Sequence, residues 1–181
     1  MSTARSHAQS LQLARETRER FVAATEGVIA PAAAAIRERL TALAGQVTNA
    51  RAMQEHRDDY VAFQGQASNW VALSQAQWRK AMGATTTGGS LNSLSRLELI
   101  GDEVVENNIL SSRLAQLIQD KASFELNDLR LRIQHLEGTS ELDAKDVLKP
   151  ETLAKLLVDQ WLAAGLSRAL WTKVQDAIQQ K

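Results

Sequence analysis

A chain of 181 residues suits one domain or two small helical units sharing a seam. Its 21 Lys plus Arg are balanced by 21 Asp plus Glu, so it lacks the basic excess of a phosphate-neutralising surface and nucleic acid is not an expected partner. With no cysteine, disulfides, thiolate metal sites and cysteine nucleophiles are excluded; no apolar h-region follows the polar start and no run approaches the ~20 apolar residues of a membrane span, so a soluble, cytoplasmic protein without membrane insertion is expected.

Glycine and proline punctuate the apolar pattern into about six helical stretches. The first runs from about Ser6 to Glu26, with Leu11, Ala14, Phe21 and Val22 as a thin apolar side. Gly27 ends it and Pro31 opens a second, continuing through Ile36, Leu40 and Leu43. The third, about Ala50 to Met82, places Tyr60, Phe63, Ala67, Trp70, Ser74, Trp78 and Ala81 three or four apart, on one face. Gly65 interrupts this helix at a cost of about 1 kcal/mol against alanine, and is expected to admit a neighbouring backbone.

From Ala84 to Ser90 the composition turns to threonine and glycine, as in a flexible linker. This suggests an N-terminal unit over residues 1–83, a linker over 84–91 and a C-terminal unit over 92–181, or one continuous domain. Leu94, Leu97, Leu99 and Ile100 form a short apolar run too brief to assign. The fourth helix carries a long stripe, Leu110, Leu114, Leu117, Ile118, Ala122, Leu126, Leu129, Ile133 and Leu136, closed by Gly138. After a polar loop, Pro150 opens a fifth helix with Leu153, Leu157, Trp161 and Ala164, ended by Gly165. Ser167 is placed to cap a sixth, in which Leu170, Trp171, Val174 and Ile178 face one way. The stripes are broader than a strict heptad and no repeat recurs, so the expected fold is all-α, a bundle or helical-hairpin array.

Chemistry is sparse. Asp102, Glu103 and Glu106, with Glu98 upstream, form a locally acidic stretch that could offer carboxylates to a divalent cation, with His135 as a further candidate. Gly101-Asp102-Glu103 also reads as a helix start, where acids suit the positive end of the dipole. His7, His56 and His135 are scattered and expected at the surface or boundary; His56 has Glu55 beside it and Asp59 three residues on, but no two histidines stand a helical turn apart. No Gly-x-Ser-x-Gly elbow, Ser-x-x-Lys pattern or phosphate-binding glycine loop is present, so no catalytic residue and no cofactor are assigned. The aromatic stripe of the third helix reads as core. Arg5, Arg15, Arg18 and Arg20 alternate with Glu16 and Glu19, which reads as a solvated face. Trp161 and Trp171, with Leu157 and Val174, are candidates for an interface, because tryptophan is enriched where proteins bind partners.

The run Leu97-Glu98-Leu99-Ile100-Gly101-Asp102-Glu103-Val104-Val105-Glu106 resembles an element near the start of a large proteobacterial family of unknown function. The long helix after it and the Leu148-Lys149-Pro150-Glu151-Thr152-Leu153 helix start are also similar to that family, as is the glutamine- and aromatic-containing region from Asn49 to Met82. The resemblance covers nearly the whole chain but only the N-terminal part of typical members, and it implies a part, or a relative, of a larger bacterial protein. Some members carry a thymidine phosphorylase label; the family supplies no established active site to transfer. Together these readings point to a non-catalytic helical scaffold or regulatory interaction module that binds a protein partner, or itself, through an apolar groove near the C-terminal helices. The alternative is a metal-assisted enzyme or ligand-binding module built on Asp102, Glu103 and Glu106.

Overall fold

The computed structural model describes residues 2–46, 49–86 and 102–179, with side chains over 7–46, 49–83 and 104–178. Five α-helices account for nearly all of these residues: α1 (Ser2–Gly45), α2 (Ala50–Thr86), α3 (Asp102–Glu137), α4 (Pro150–Ala163) and α5 (Arg168–Gln179). The all-α expectation holds, and the described residues contain no strand. Among them, no helix is long and apolar enough to cross a membrane.

The two N-terminal stretches are one helix. α1 runs through both Gly27 and Pro31 without interruption. Proline at an interior position removes one i→i−4 hydrogen bond and crowds the carbonyl four residues back, here that of Gly27, at a cost of about 3 kcal/mol. Ile29, Ala32, Ala33 and Ile36 on either side are all buried, so packing overrides the local punctuation. α2 likewise passes Gly83 and ends at Thr86. The expected linker beyond Thr86, with the Leu94 to Ile100 run, lies outside the described residues.

At α3, α4 and α5 the stop and start signals work as read, and Asn49 supplies a cap for α2 that the sequence reading does not assign. Asn49 accepts the backbone N–H of Ala52 at 2.8 Å to start α2, Pro150 occupies the first turn of α4, and Ser167 accepts the N–H of Leu170 at 3.1 Å to start α5. Gly138 and Gly165 adopt φ +68 and +82, the left-handed conformation that closes α3 and α4. Each is followed by a Schellman-type bond, Thr139 N–H to Gln134 at 3.0 Å and Leu166 N–H to Trp161 at 3.2 Å. Gly65 corrects the expectation attached to it: a methyl group there would meet nothing within 4 Å among the described residues, so none of their backbone approaches it.

α1 and α2 pack as a long hairpin, α3 packs on α4, and α5 closes against α1. The main core draws on all five helices, including Val22, Ile36, Leu40, Phe63, Trp70, Leu114, Val158, Trp161 and Trp171. At its centre Trp161 stacks on Phe63 with ring centroids 5.6 Å apart and meets Trp70 and Trp171 edge-on at 5.3 and 5.2 Å. Such pairs add about 0.5–1.5 kcal/mol each beyond area burial. The stripe of α2 is therefore core packing. A second, smaller core lies between the first half of α1, the last turns of α3 and the connection into α4. It is built from Ala14, Ile133, Leu142 and Leu148, with Phe21, Leu129 and Leu136 against them.

Candidate functional site

A strongly apolar concavity opens between the middle of α1 and the middle of α3. Its walls are Phe21, Ala24 and Val28 on one side and Leu114, Leu117, Ile118, Ala122 and Leu126 on the other. Trp70 and Trp78 of α2, Leu153, Ala154 and Leu157 of α4, and Ile178 of α5 complete the lining. The groove encloses about 400 Å³, within the range of sites that bind small ligands or a few side chains. Thr25 is the one residue of the lining with a side-chain hydroxyl, and that hydroxyl donates to the carbonyl of Phe21 at 2.8 Å, so it presents little unpaired polarity. Val28 stands 42% exposed on the rim. Trp78 is buried, and its indole N–H bonds to no group among the described residues, in contrast to Trp161, whose N–H reaches the carbonyl of Ser167 at 2.9 Å.

Of the four residues expected at an interface, Leu157 lines this groove. Trp161, Trp171 and Val174 do not: they are 0%, 2% and 0% exposed and belong to the main core. Their route to the groove is indirect, through Trp70, whose ring meets Trp161 and whose own surface forms part of the lining. Periodicity places all of them on inward faces but does not separate a core tryptophan from a docking one.

The side chains of Asp102 and Glu103 lie outside those described. Glu106 is turned toward Arg168 at 3.7 Å, and Arg168 donates to Asn107 at 2.6 Å, so this carboxylate ties α3 to α5. His135 is exposed near the far end of the same helix, 29 residues beyond Glu106 and roughly 40 Å away at 1.5 Å per residue, so it cannot join that cluster. Around His56 the cation position is filled from within the chain: Lys173 of α5 donates to both Glu55 and Asp59, the latter at 2.8 Å. These hydrogen bonds, to Asp59 first and then Glu55, raise the pKa of the Lys173 ammonium, and the same contact lowers that of the Glu55 carboxyl. Among the described residues, no group of three or more His, Asp and Glu side chains is placed to hold a metal ion.

One ionic site escapes the sequence pattern. Arg18, expected on a solvated face, is 3% exposed and forms a fork to two carboxylates. Its guanidinium donates to Glu137 at 2.6 and 3.0 Å and to Asp146 at 2.7 and 3.1 Å. Asp146 is fully buried and also accepts the N–H of Leu148 at 3.0 Å. Burial disfavours the charged guanidinium, but the hydrogen bonds to Glu137 and Asp146 outweigh it and hold the Arg18 pKa above its ordinary value. A signal for this site exists: Arg18 falls four residues from both Ala14 and Val22, in the middle of the apolar stripe. A charge at such a position requires a buried partner, but Glu137 and Asp146 are too distant in sequence to be named from it.

No curated protein and no solved structure matches the chain. The family described as protein of unknown function (DUF1631) N-terminal domain matches over residues 9–181. With the matched region taking in all but the first residues of α1, the other four helices, both cores and the groove, the chain belongs to the DUF1631 N-terminal domain family.

Proposed function

We propose that this domain is a non-catalytic interaction module whose α1–α3 groove receives an amphipathic helix from a protein partner. The observation that carries the reading is the groove itself. Its α3 wall, Leu114 to Leu126, spans roughly 18 Å, about three helical turns, and its lining is almost wholly apolar. A partner helix with apolar side chains at i, i+3, i+4 and i+7 fits such a slot between two helices. Burial of its apolar face would remove this concave apolar surface from water. The docking surface lies beside α4 and α5, with Leu153, Ala154 and Leu157 of the first and Ile178 of the second as their contributions.

The test is site-specific photo-crosslinking in cells of the native host. Benzoylphenylalanine replaces Val28 on the groove rim or, as a control, Val61, which is 60% exposed on α2 and does not line the groove. Crosslinks from Val28 and not from Val61, mapping to an amphipathic segment of one protein, are expected. Equal crosslinking from both positions, or none from Val28, would overturn the assignment of the groove.

A further inference from the structure

A further cavity, of about 440 Å³, opens where the second half of α3 faces the start of α4. Across it Leu126, Asn127 and Arg130 of α3 stand opposite Leu142 and Leu148 of the connection and Lys149 before α4. It shares only Leu126 with the apolar groove.

The charge of this cavity is not balanced from within the described residues. Arg130 donates to the side-chain oxygen of Asn127 at 2.7 Å. Neither its guanidinium nor the half-buried Lys149 ammonium meets a carboxylate within 4.0 Å among the described residues. Asp146, Asp143 and Asp128, which adjoin the cavity in sequence, are engaged elsewhere. Asp146 holds Arg18 and the N–H of Leu148, Asp143 accepts the N–H of Lys145, and Asp128 pairs with Arg132. Glu151, the carboxylate of the lining, is exposed and pairs with neither cation. Lysine is moreover a poor residue for position 149. It precedes the first turn of α4, where the helix end is itself positive and an acceptor side chain would serve as cap, and no side chain caps that turn. The chain as a whole is neutral, so this excess of positive charge is local.

Between the cations the lining is apolar: Leu142, Leu148 and Pro150 are buried and Leu126 is half-buried. We infer that this cavity is a second ligand site, which binds a small organic phosphate monoester. The phosphate sits between Arg130 and Lys149, and its apolar substituent lies against Leu126, Leu142 and Leu148. A phosphate monoester carries about −1.5 to −2 charges at neutral pH and so answers both cations, whereas a carboxylate answers one. The planar N–H fork of Arg130 matches two phosphate oxygens, and Lys149 supplies a point charge. The volume is that of a small-ligand site. This site stands apart from the docking groove and does not depend on it.

The test is a titration of the isotope-labelled chain followed by amide chemical shifts, with phenyl phosphate as the probe. Saturating shifts centred on Arg130, Lys149 and Glu151 are expected. Affinity should be at least about tenfold higher than for inorganic phosphate, which lacks the ring, or benzoate, which lacks the second charge. Arg130→Gln combined with Lys149→Gln is expected to abolish saturation; neither residue belongs to a core cluster, so the fold is retained. Lys155→Gln, on the exposed side of α4, is expected to leave it unchanged. In the wild-type chain, absence of saturation in the millimolar range, or shifts centred elsewhere, overturns the site whatever the variants do. Undiminished affinity in the doubly substituted chain overturns it equally. Inorganic phosphate binding as tightly as phenyl phosphate overturns the organic ligand, and benzoate doing so overturns the phosphate.

Discussion

Arg18 shows how a single side chain can hold three segments of chain together. Removing one partner of a buried ion pair leaves an uncompensated charge, which costs about 3–5 kcal/mol, whereas replacing all partners with apolar groups of similar volume can be neutral. Arg18→Met is therefore expected to lower unfolding stability by about 3–5 kcal/mol in denaturant titration, with much of the loss recovered when Asp146→Leu and Glu137→Met are added. At Lys173 the consequence is a pH dependence. Its raised pKa gives stability that is complete below the unfolded lysine value of about 10.4 and is lost as pH rises through the folded value. The lowered pKa of Glu55 gives stability present above about 4.3 and lost as pH falls through its folded value. Lys173→Gln is accordingly expected to reduce the melting temperature at pH 7 and to have a progressively smaller effect as the pH falls through the folded Glu55 value; a reduction that does not change with pH would mean that packing of the lysine stem, not its charge, ties α5 to α2.

Among the elements, α1 and α3 depart from local sequence preference in opposite senses. α1 contains a proline and a glycine four residues apart and is nonetheless continuous, because its buried face spans both positions. Restoring the missing hydrogen bond with Pro31→Ala is expected to stabilise the protein by about 1–3 kcal/mol, since Pro31 is exposed. Gly65→Ala in α2 should add about 1 kcal/mol, because space around it is open. Both are read as shifts in the denaturation midpoint, and destabilisation by Pro31→Ala would show that α1 needs a bend there. α3 contains only residues compatible with a helix and is nonetheless broken at Ala122, with φ −128 and ψ 28. The inward faces of α2, α4 and α5 are plain in the sequence, because their apolar spacing and caps are local. The stripe of α3 is equally plain, but its break is not. The packing of Ile118 on one side and of Leu129 on the other is decided by two cores assembled from distant segments.

For the whole molecule, the same limit explains which parts of the site were legible. Apolar periodicity announces that a residue turns inward, and so it found Leu157, Trp161, Trp171 and Val174 together. Only the packing of α1 against α3 decides that Leu157 faces a groove while the other three are enclosed. The groove has walls from residues about ninety positions apart, and no local pattern marks such a space. The proposed role as a docking slot predicts that one charge placed on its wall blocks binding without unfolding the domain, since Leu117 lies outside both cores. The measurement that tests this most directly is calorimetric titration of the peptide identified by crosslinking at Val28, against the wild-type domain and against Leu117→Asp. Burying an unpaired carboxylate against an apolar helix face should weaken binding by at least about tenfold, equivalent to ~1.4 kcal/mol or more, while helical content is retained. Equal affinity for the two proteins would contradict the groove as the binding surface.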